Sequence, residues 1–144
     1  AKYFDGQWNY SRNQAALNML IYTGMKEQAV KFYPTTLRND WKDRSMSWNN
    51  WAWLSYELGV KLELAEERAQ TGVELADNPK RKVAVLDTLA QIQMRLGKGD
   101  EALRNIESAI ELDPTNSYLI RQKRKFNDIL DMQGEPDKPV GVHL

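Results

Sequence analysis

The chain has 144 residues and no cysteine, so it can build neither a disulfide framework nor thiolate chemistry, although this absence fixes no compartment. Its one histidine, His143, lies in the last residues. With no Gly-rich phosphate loop and no metal-spaced ligand cluster, the sequence offers no catalytic residue, no cofactor and no metal site. Lys and Arg total 20 and Asp and Glu total 20, and this balance argues against wholesale attraction to nucleic acid or an anionic membrane. No apolar run approaches the roughly 20 residues that a membrane helix needs. Glycine and proline are few, at 8 and 5, which argues against a disordered, low-complexity chain.

What is present is helical patterning, 42% hydrophobic residues and one domain's worth of length. The pattern is clearest in residues 83–116, VAVLDTLAQIQMRLGKGDEALRNIESAIELDPTN. Leu86, Leu89, Ala90 and Leu96 share one helical face, and Ala102, Leu103, Ile106, Ala109 and Ile110 form a second stripe at 3-4 spacing. Two such stripes bury each other. Gly97-Lys98-Gly99 breaks the first helix, Asp100 is the expected cap of the second, and Asp113-Pro114 stops it. Small Ala90, Ala102 and Ala109 let the two helices approach closely.

This stretch resembles a tetratricopeptide repeat, whose rule is W-x2-L-G-x2-Y, then Ala, then a bulky apolar residue, then Pro. Leu86 stands at the Trp position, Leu89 and Ala90 at the Leu-Gly pair, Ala102 and Ile106 at the Ala and Phe, and Pro114 at the Pro; Gln93 replaces the Tyr. Two worn copies precede it. RNQAALNMLIYTGMKEQAVKFYPTTL puts Ala16, Leu17, Leu20 and Ile21 on one face, breaks at Gly24 and resumes with Met25, Ala29, Phe32 and Tyr33, with Pro34 expected to kink or shorten the second helix. SMSWNNWAWLSYELG, with Ser45 as expected N-cap, places Trp48 and Trp51 as core wedges; its partner ELAEERAQTGVELADNP sets Ala65, Ala69, Gly72, Val73 and Ala76 on one stripe. The polar connector between these copies, residues 39–44, carries Trp41.

The resemblance implies an all-α fold: an α-α superhelix, a tetratricopeptide-like solenoid of three helical hairpins plus a C-terminal capping helix. The repeat domain spans residues 11–132, with hairpins at about 11–38, 45–78 and 82–114 and the capping helix at 117–132. The cap is expected because a terminal repeat needs a polar outer face. Residues 1–10 show no helical period and read as a lead-in; residues 133–144, with two prolines and two glycines, read as an extended or disordered tail. Beginning at Ala1 is compatible with an excised domain, loss of an initiator Met or a cleaved signal peptide, and bacterial cytoplasm and periplasm both stay open.

In stacks of this kind the first helix of each hairpin lines the concave wall. The resemblance therefore implies a partner-binding groove lined by Asn18, Tyr22, Asn49, Trp53, Tyr56, Asp87, Gln91, Arg95, Arg121 and Lys125, flanked by Gln14 and Met94. Trp53 and Tyr56 offer stiff apolar surface with a polar edge; burial beneath other segments of the chain is the competing reading for both. Some family members hold a partner's C-terminal carboxylates between two Asn and several cations. Asn18 and Asn50 match the Asn positions, but Gln14, Ala84 and Thr88 stand where the cations belong. No binding of chaperone tails is expected. RQKRK at 121–125 and Lys80-Arg81-Lys82 read as solvated helix ends rather than a nucleic-acid site. Glu63, Glu66, Glu67 and Glu74 likewise read as an outer face.

The expected function is a non-catalytic interaction scaffold with a protein or peptide partner, without nucleic acid or membrane insertion. A second reading makes the chain a repeat module of a larger, exported thioredoxin-like or redox protein, because residues 48–112 resemble repeat regions found beside such domains. Self-association through an uncovered repeat end, or a subunit role in a larger complex, are further routes.

Overall fold

A computed structural model describes the backbone of residues 2–134 and the side chains of residues 10–134. Its described residues form seven α-helices: α1 Lys2–Tyr22, α2 Lys26–Phe32, α3 Ser45–Leu58, α4 Leu62–Leu75, α5 Pro79–Arg95, α6 Gly99–Leu112 and α7 Ser117–Gln133. Consecutive helices pair as hairpins, α1 with α2, α3 with α4 and α5 with α6, and α7 closes the stack. The fold is the expected all-α superhelix of three hairpins and a C-terminal helix. Each new hairpin enters by packing its first helix on the helix before it, as α5 does on α4 and α3.

The three hairpin turns use one device. Gly24, Gly59 and Gly97 have φ of 77°, 70° and 78°, a left-handed conformation that only glycine adopts without strain. In each turn the glycine N–H and the next N–H donate back to carbonyls of the finished helix, Gly59 to Tyr56 and Val60 to Ser55, Gly97 to Met94 and Lys98 to Gln93. Gly24 and Met25 do the same to Ile21 and Leu20. This Schellman closure satisfies carbonyls that a helix end leaves open.

Several local expectations are corrected. Helix α1 begins at Lys2, so the segment read as a lead-in without helical period belongs to the helix. One interior glycine costs a helix only about 1 kcal/mol, and extending an existing helix avoids the cost of nucleation. Ser45 is not an N-cap: it is the first helical residue and buried, with Arg44 at the cap position and no side-chain cap bond. Asp100 lies inside the first turn of α6, with Lys98 at its cap. The side-chain caps are Asn78, which accepts from Arg81 N–H, and Asn116, which accepts from Tyr118 and Leu119 N–H. Pro34 does shorten its helix: α2 stops at Phe32 and the chain continues as a 3-10 turn over Tyr33–Thr36. Residues 135–144 of the expected tail lie outside the described residues.

The core has two clusters that meet at α5. Leu86 and Ala90 pack with Ala102, Ile106, Ala109, Leu119 and Phe126. On another face Leu89 and Ile92 pack with Ala52, Ala65 and Ala69. Trp41, Trp48 and Trp51 form a third knot, with ring centroids 5.0, 5.6 and 5.8 Å apart. The Trp51 indole N–H donates to the Val30 carbonyl at 2.7 Å and thereby ties α3 to α2. Trp48 donates to the Lys42 carbonyl at 2.9 Å. The two tryptophans read as wedges are therefore structural, and Trp41 joins them from the connector.

At Gly72 α4 lies close against α3 and α5. A Cβ there would stand 3.0 Å from Val85 Cγ1 and 3.1 Å from the Ser45 carbonyl, and the backbone oxygen cannot swing aside. In an exposed helix Gly→Ala stabilises by about 1 kcal/mol, whereas overpacking costs about 1–3 kcal/mol. Gly72→Ala is expected to lower the urea midpoint; an unchanged or raised midpoint would show that the helices are not in contact there.

Candidate partner groove

Helical spacing places Met46, Asn50, Trp53 and Glu57 on one face of α3, and Ala84, Asp87, Gln91 and Arg95 on one face of α5. Beside these faces runs a trough made of three joined clefts. One, of about 430 Å³, lies at the starts of α3 and α5 and includes Arg44, Met46, Asn50 and Arg81. A second, of about 310 Å³, shares Met46 and Arg81 with it. That cleft also shares Lys80 and Ala84 with a third, of about 510 Å³, lined by Val83, Asp87, Leu112 and Tyr118.

Two side-chain assemblies stand on these helices, and the second of them lines the trough through Asp87 and Tyr118. In the first, Trp53 stacks on Tyr56 with centroids 4.7 Å apart and planes 21° from parallel. The Arg95 guanidinium sits over the other partner, 4.8 Å from the Tyr56 ring, and donates to the Tyr56 carbonyl at 2.8 Å. Trp53 Nε1 donates to Glu57 Oε1 at 2.7 Å. Both aromatic rings are half-buried, and Tyr56 also packs on the Ala52–Leu89 core. Tyr56 is thus partly a core residue, whereas Trp53 is not part of that cluster.

In the second assembly, Tyr118 of α7 donates its hydroxyl to Asp87 Oδ2 at 3.0 Å, while Gln91 Nε2 donates to Asp87 Oδ1 at 3.2 Å. Gln91 also reaches the Tyr118 hydroxyl at 3.3 Å. Burial pushes the Asp87 carboxyl above its usual range, and the donors from Tyr118 and Gln91 only partly offset this. Burial, then the Asp87 charge, raises the Tyr118 hydroxyl as well.

The structure treats the remaining expected groove residues unequally. Asn49 is withdrawn: it is buried, donates to Asn50 Oδ1 at 3.1 Å and presents no surface to a ligand, because its side chain turns into the helix packing. Asn50 lines the trough in its stead. Met94 packs against the Leu86–Phe126 core. Asn18 and Tyr22 are exposed on α1, Tyr22 to 88%, and Asn18 accepts from Gln14 Nε2 at 3.3 Å. Arg121 and Lys125 are exposed on α7, where Arg121 donates to Ser117 Oγ at 3.3 Å. Sequence reasoning missed Tyr118, Met46, Lys80 and Arg81 as trough residues; an aromatic directly after the Asn116 cap was the available signal for the first. Among the described residues no group of three His, Cys, Asp or Glu side chains could hold a metal, and no helix is long and apolar enough to cross a membrane.

Stacked antiparallel hairpins with the first helix of each pair along one wall define a helical-repeat domain of tetratricopeptide type. Comparison with solved structures places the chain in that fold. It is similar to the first tetratricopeptide domain of Spaghetti (RPAP3), solved bound to the HSP90 peptide SRMEEVD, with 20% identity over 86% of this chain and 94% of that one and a TM-score of 0.63. It is similar also to the second such domain of human RPAP3, solved in complex with the HSP70 peptide SGPTIEEVD, with 20% identity, 84% and 97% coverage and a TM-score of 0.62. No known family profile and no curated protein matches the chain.

The raised Asp87 carboxyl makes a pH prediction with a defined sign. A folded-state pKa above the unfolded value contributes stability that is present at low pH and is lost as pH rises through the folded pKa. Relative to Asp87→Asn, the wild-type chain should therefore lose stability as pH rises above about 3.8, and the difference should level off beyond the raised value. Urea melts of both proteins across this range test it; parallel curves would mean that Asp87 is solvated like any surface carboxylate.

Proposed function

We propose that the chain is a non-catalytic protein-interaction scaffold that holds a peptide segment or a partner protein along the trough beside α3, α5 and α7. The observation that carries this reading is the trough of three joined clefts, with the Trp53–Tyr56–Arg95 stack farther along the same helices. A preformed aromatic surface with two χ angles per ring loses little entropy on binding, and aromatic and Arg side chains dominate binding energy at interfaces. The two structural neighbours, each solved with a bound peptide, support a peptide as the kind of ligand such a fold accepts. Nothing in the fold or its neighbours supports the alternative of a redox-protein module.

The ligand differs from those of the neighbours in this reading. Where an acidic tail would need cations, Ala84 is half-buried and Thr88 is buried, with its hydroxyl donating to the Ala84 carbonyl at 3.2 Å. Gln14 is neutral. In an NMR titration the peptide SRMEEVD is therefore expected to leave the signals of Asn50, Ala84 and Thr88 unshifted, and micromolar binding that shifts them would contradict the assignment of these positions.

The scaffold reading is tested on Trp53. Trp53→Ala should leave helicity and the melting temperature close to wild type, while a partner captured from the native source and then titrated binds the variant about 10–100-fold more weakly. Equal binding by both proteins would remove Trp53 from the site, and a collapse in melting would make it a core residue.

A further inference from the structure

A cleft of about 530 Å³ opens on the side formed by the second helices of the hairpins, between α2 and α4, and shares no lining residue with the trough. Val30, Pro34, Trp51 and Leu64 give it an apolar lining, and Leu64 is 43% exposed on it. Arg68 lies against this surface, its guanidinium carbon 3.5 Å from the centre of the Trp51 ring. Its Nη1 is sealed from solvent and has no hydrogen-bond acceptor among the described residues. Burial pushes the Arg68 pKa down with only the charge of Glu67 opposing it, and Glu67 is not part of the cleft.

This is an unusual state for a guanidinium. Desolvated arginines normally engage carboxylates or carbonyls through their planar fork, because an unpaired buried donor loses its hydration with nothing in return. Stacking on Trp51 compensates in part, since a cation over an indole is attracted by the ring quadrupole. It supplies no charged partner, and Arg68, half-buried, keeps part of its side chain open to the cleft. Lys31 and Lys61 add two cations to the cleft against one carboxylate, Glu27, which stands 3.8 Å from Lys61. The site thus combines apolar walls with an excess of positive charge.

We propose that this cleft is a second docking site, which takes an acidic, apolar segment of a partner protein: an Asp or Glu carboxylate pairs with Arg68 while neighbouring apolar side chains cover Trp51, Val30 and Leu64. Charge complementarity selects the acid, and the apolar walls select its neighbours. The scaffold would then grip partners on two faces, so that one protein in the trough and another in this cleft are held by the same hairpins.

The test is an NMR titration of the full, 15N-labelled chain with a capped hexapeptide of alternating Leu and Glu, the same peptide with Gln for Glu, and hexanoate. Capped ends remove the terminal carboxylate. The Glu peptide should shift the Trp51 indole and Arg68 side-chain signals and bind at least about tenfold more tightly than the Gln peptide. Arg68→Met should abolish this preference. Lys31→Glu, at an exposed position where folding is not at stake, should weaken binding of the Glu peptide and leave the Gln peptide unchanged. Equal binding of the two peptides, no binding of either, or shifts confined to trough residues such as Asp87 and Tyr118 would overturn the proposal. Binding of hexanoate without the peptide would overturn it too, by assigning the cleft to a small acid.

Discussion

Leu89 and Ile92 pack α5 into the second hairpin while Leu86 and Ala90 pack it into its own partner, so one helix is shared between two cores. Each large apolar side chain buried in this way contributes on the order of 1.5–3 kcal/mol, and α5 carries Val85, Leu86, Leu89 and Ile92, all almost fully enclosed. The remaining elements take their positions from that sharing. Helix α4 comes close because it offers alanine and glycine at the contact, Ala65, Ala69 and Gly72, and α6 does the same with Ala102 and Ala109. Helix α7 lays Leu119 and Phe126 on the second cluster and turns Arg124, Lys125, Asn127 and Asp128 to solvent. A polar outer face of this kind closes a repeat stack.

The first hairpin is joined by different chemistry. Short α2 supplies Ala29 and Val30 as its buried residues, too little for an alanine-and-leucine seam like the one around α5. Tryptophan fills the space: three indoles from α3 and the connector pack together, Trp41 edge-on to Trp51 and the other pairs tilted, and Trp51 hydrogen-bonds the Val30 carbonyl. Large rings with a polar edge bridge a wide gap, and the Trp48 and Trp51 donors both find backbone carbonyls. The same packing brings Arg68 over the outer face of Trp51 and opens the cleft beside α2. A structural joint and a candidate docking surface thus have one cause.

On the other wall, packing and recognition also share residues. Tyr118 fastens α7 to α5 through Asp87 and Gln91, and the same three polar groups stand beside the largest cleft of the trough. Asp87 is desolvated by that closure. Arg95 likewise serves two purposes: it holds the Tyr56 carbonyl of the preceding hairpin and extends the aromatic stack that Trp53 begins. Asp87 and Tyr118 are thus engaged with each other before any ligand arrives.

The stripes of 3-4 spacing, the glycine turns at Gly24, Gly59 and Gly97, and the alanines at close contacts determined the repeat architecture from sequence alone. They could do so because period and residue size are local properties that a helix converts directly into a buried face. Helix ends were less legible: Ser45 and Asp100 have the chemistry of caps, but packing set the starts one or two residues away from a capping role. Among the groove residues, Trp53, Asp87, Gln91 and Arg95 follow from position on the first helices. Burial of Asn49, the half-structural role of Tyr56, the Tyr118–Asp87 bond and the unpaired Arg68 did not. These depend on which helix lies opposite, at distances of a few ångström between residues far apart in the chain, and only the tertiary structure decides that.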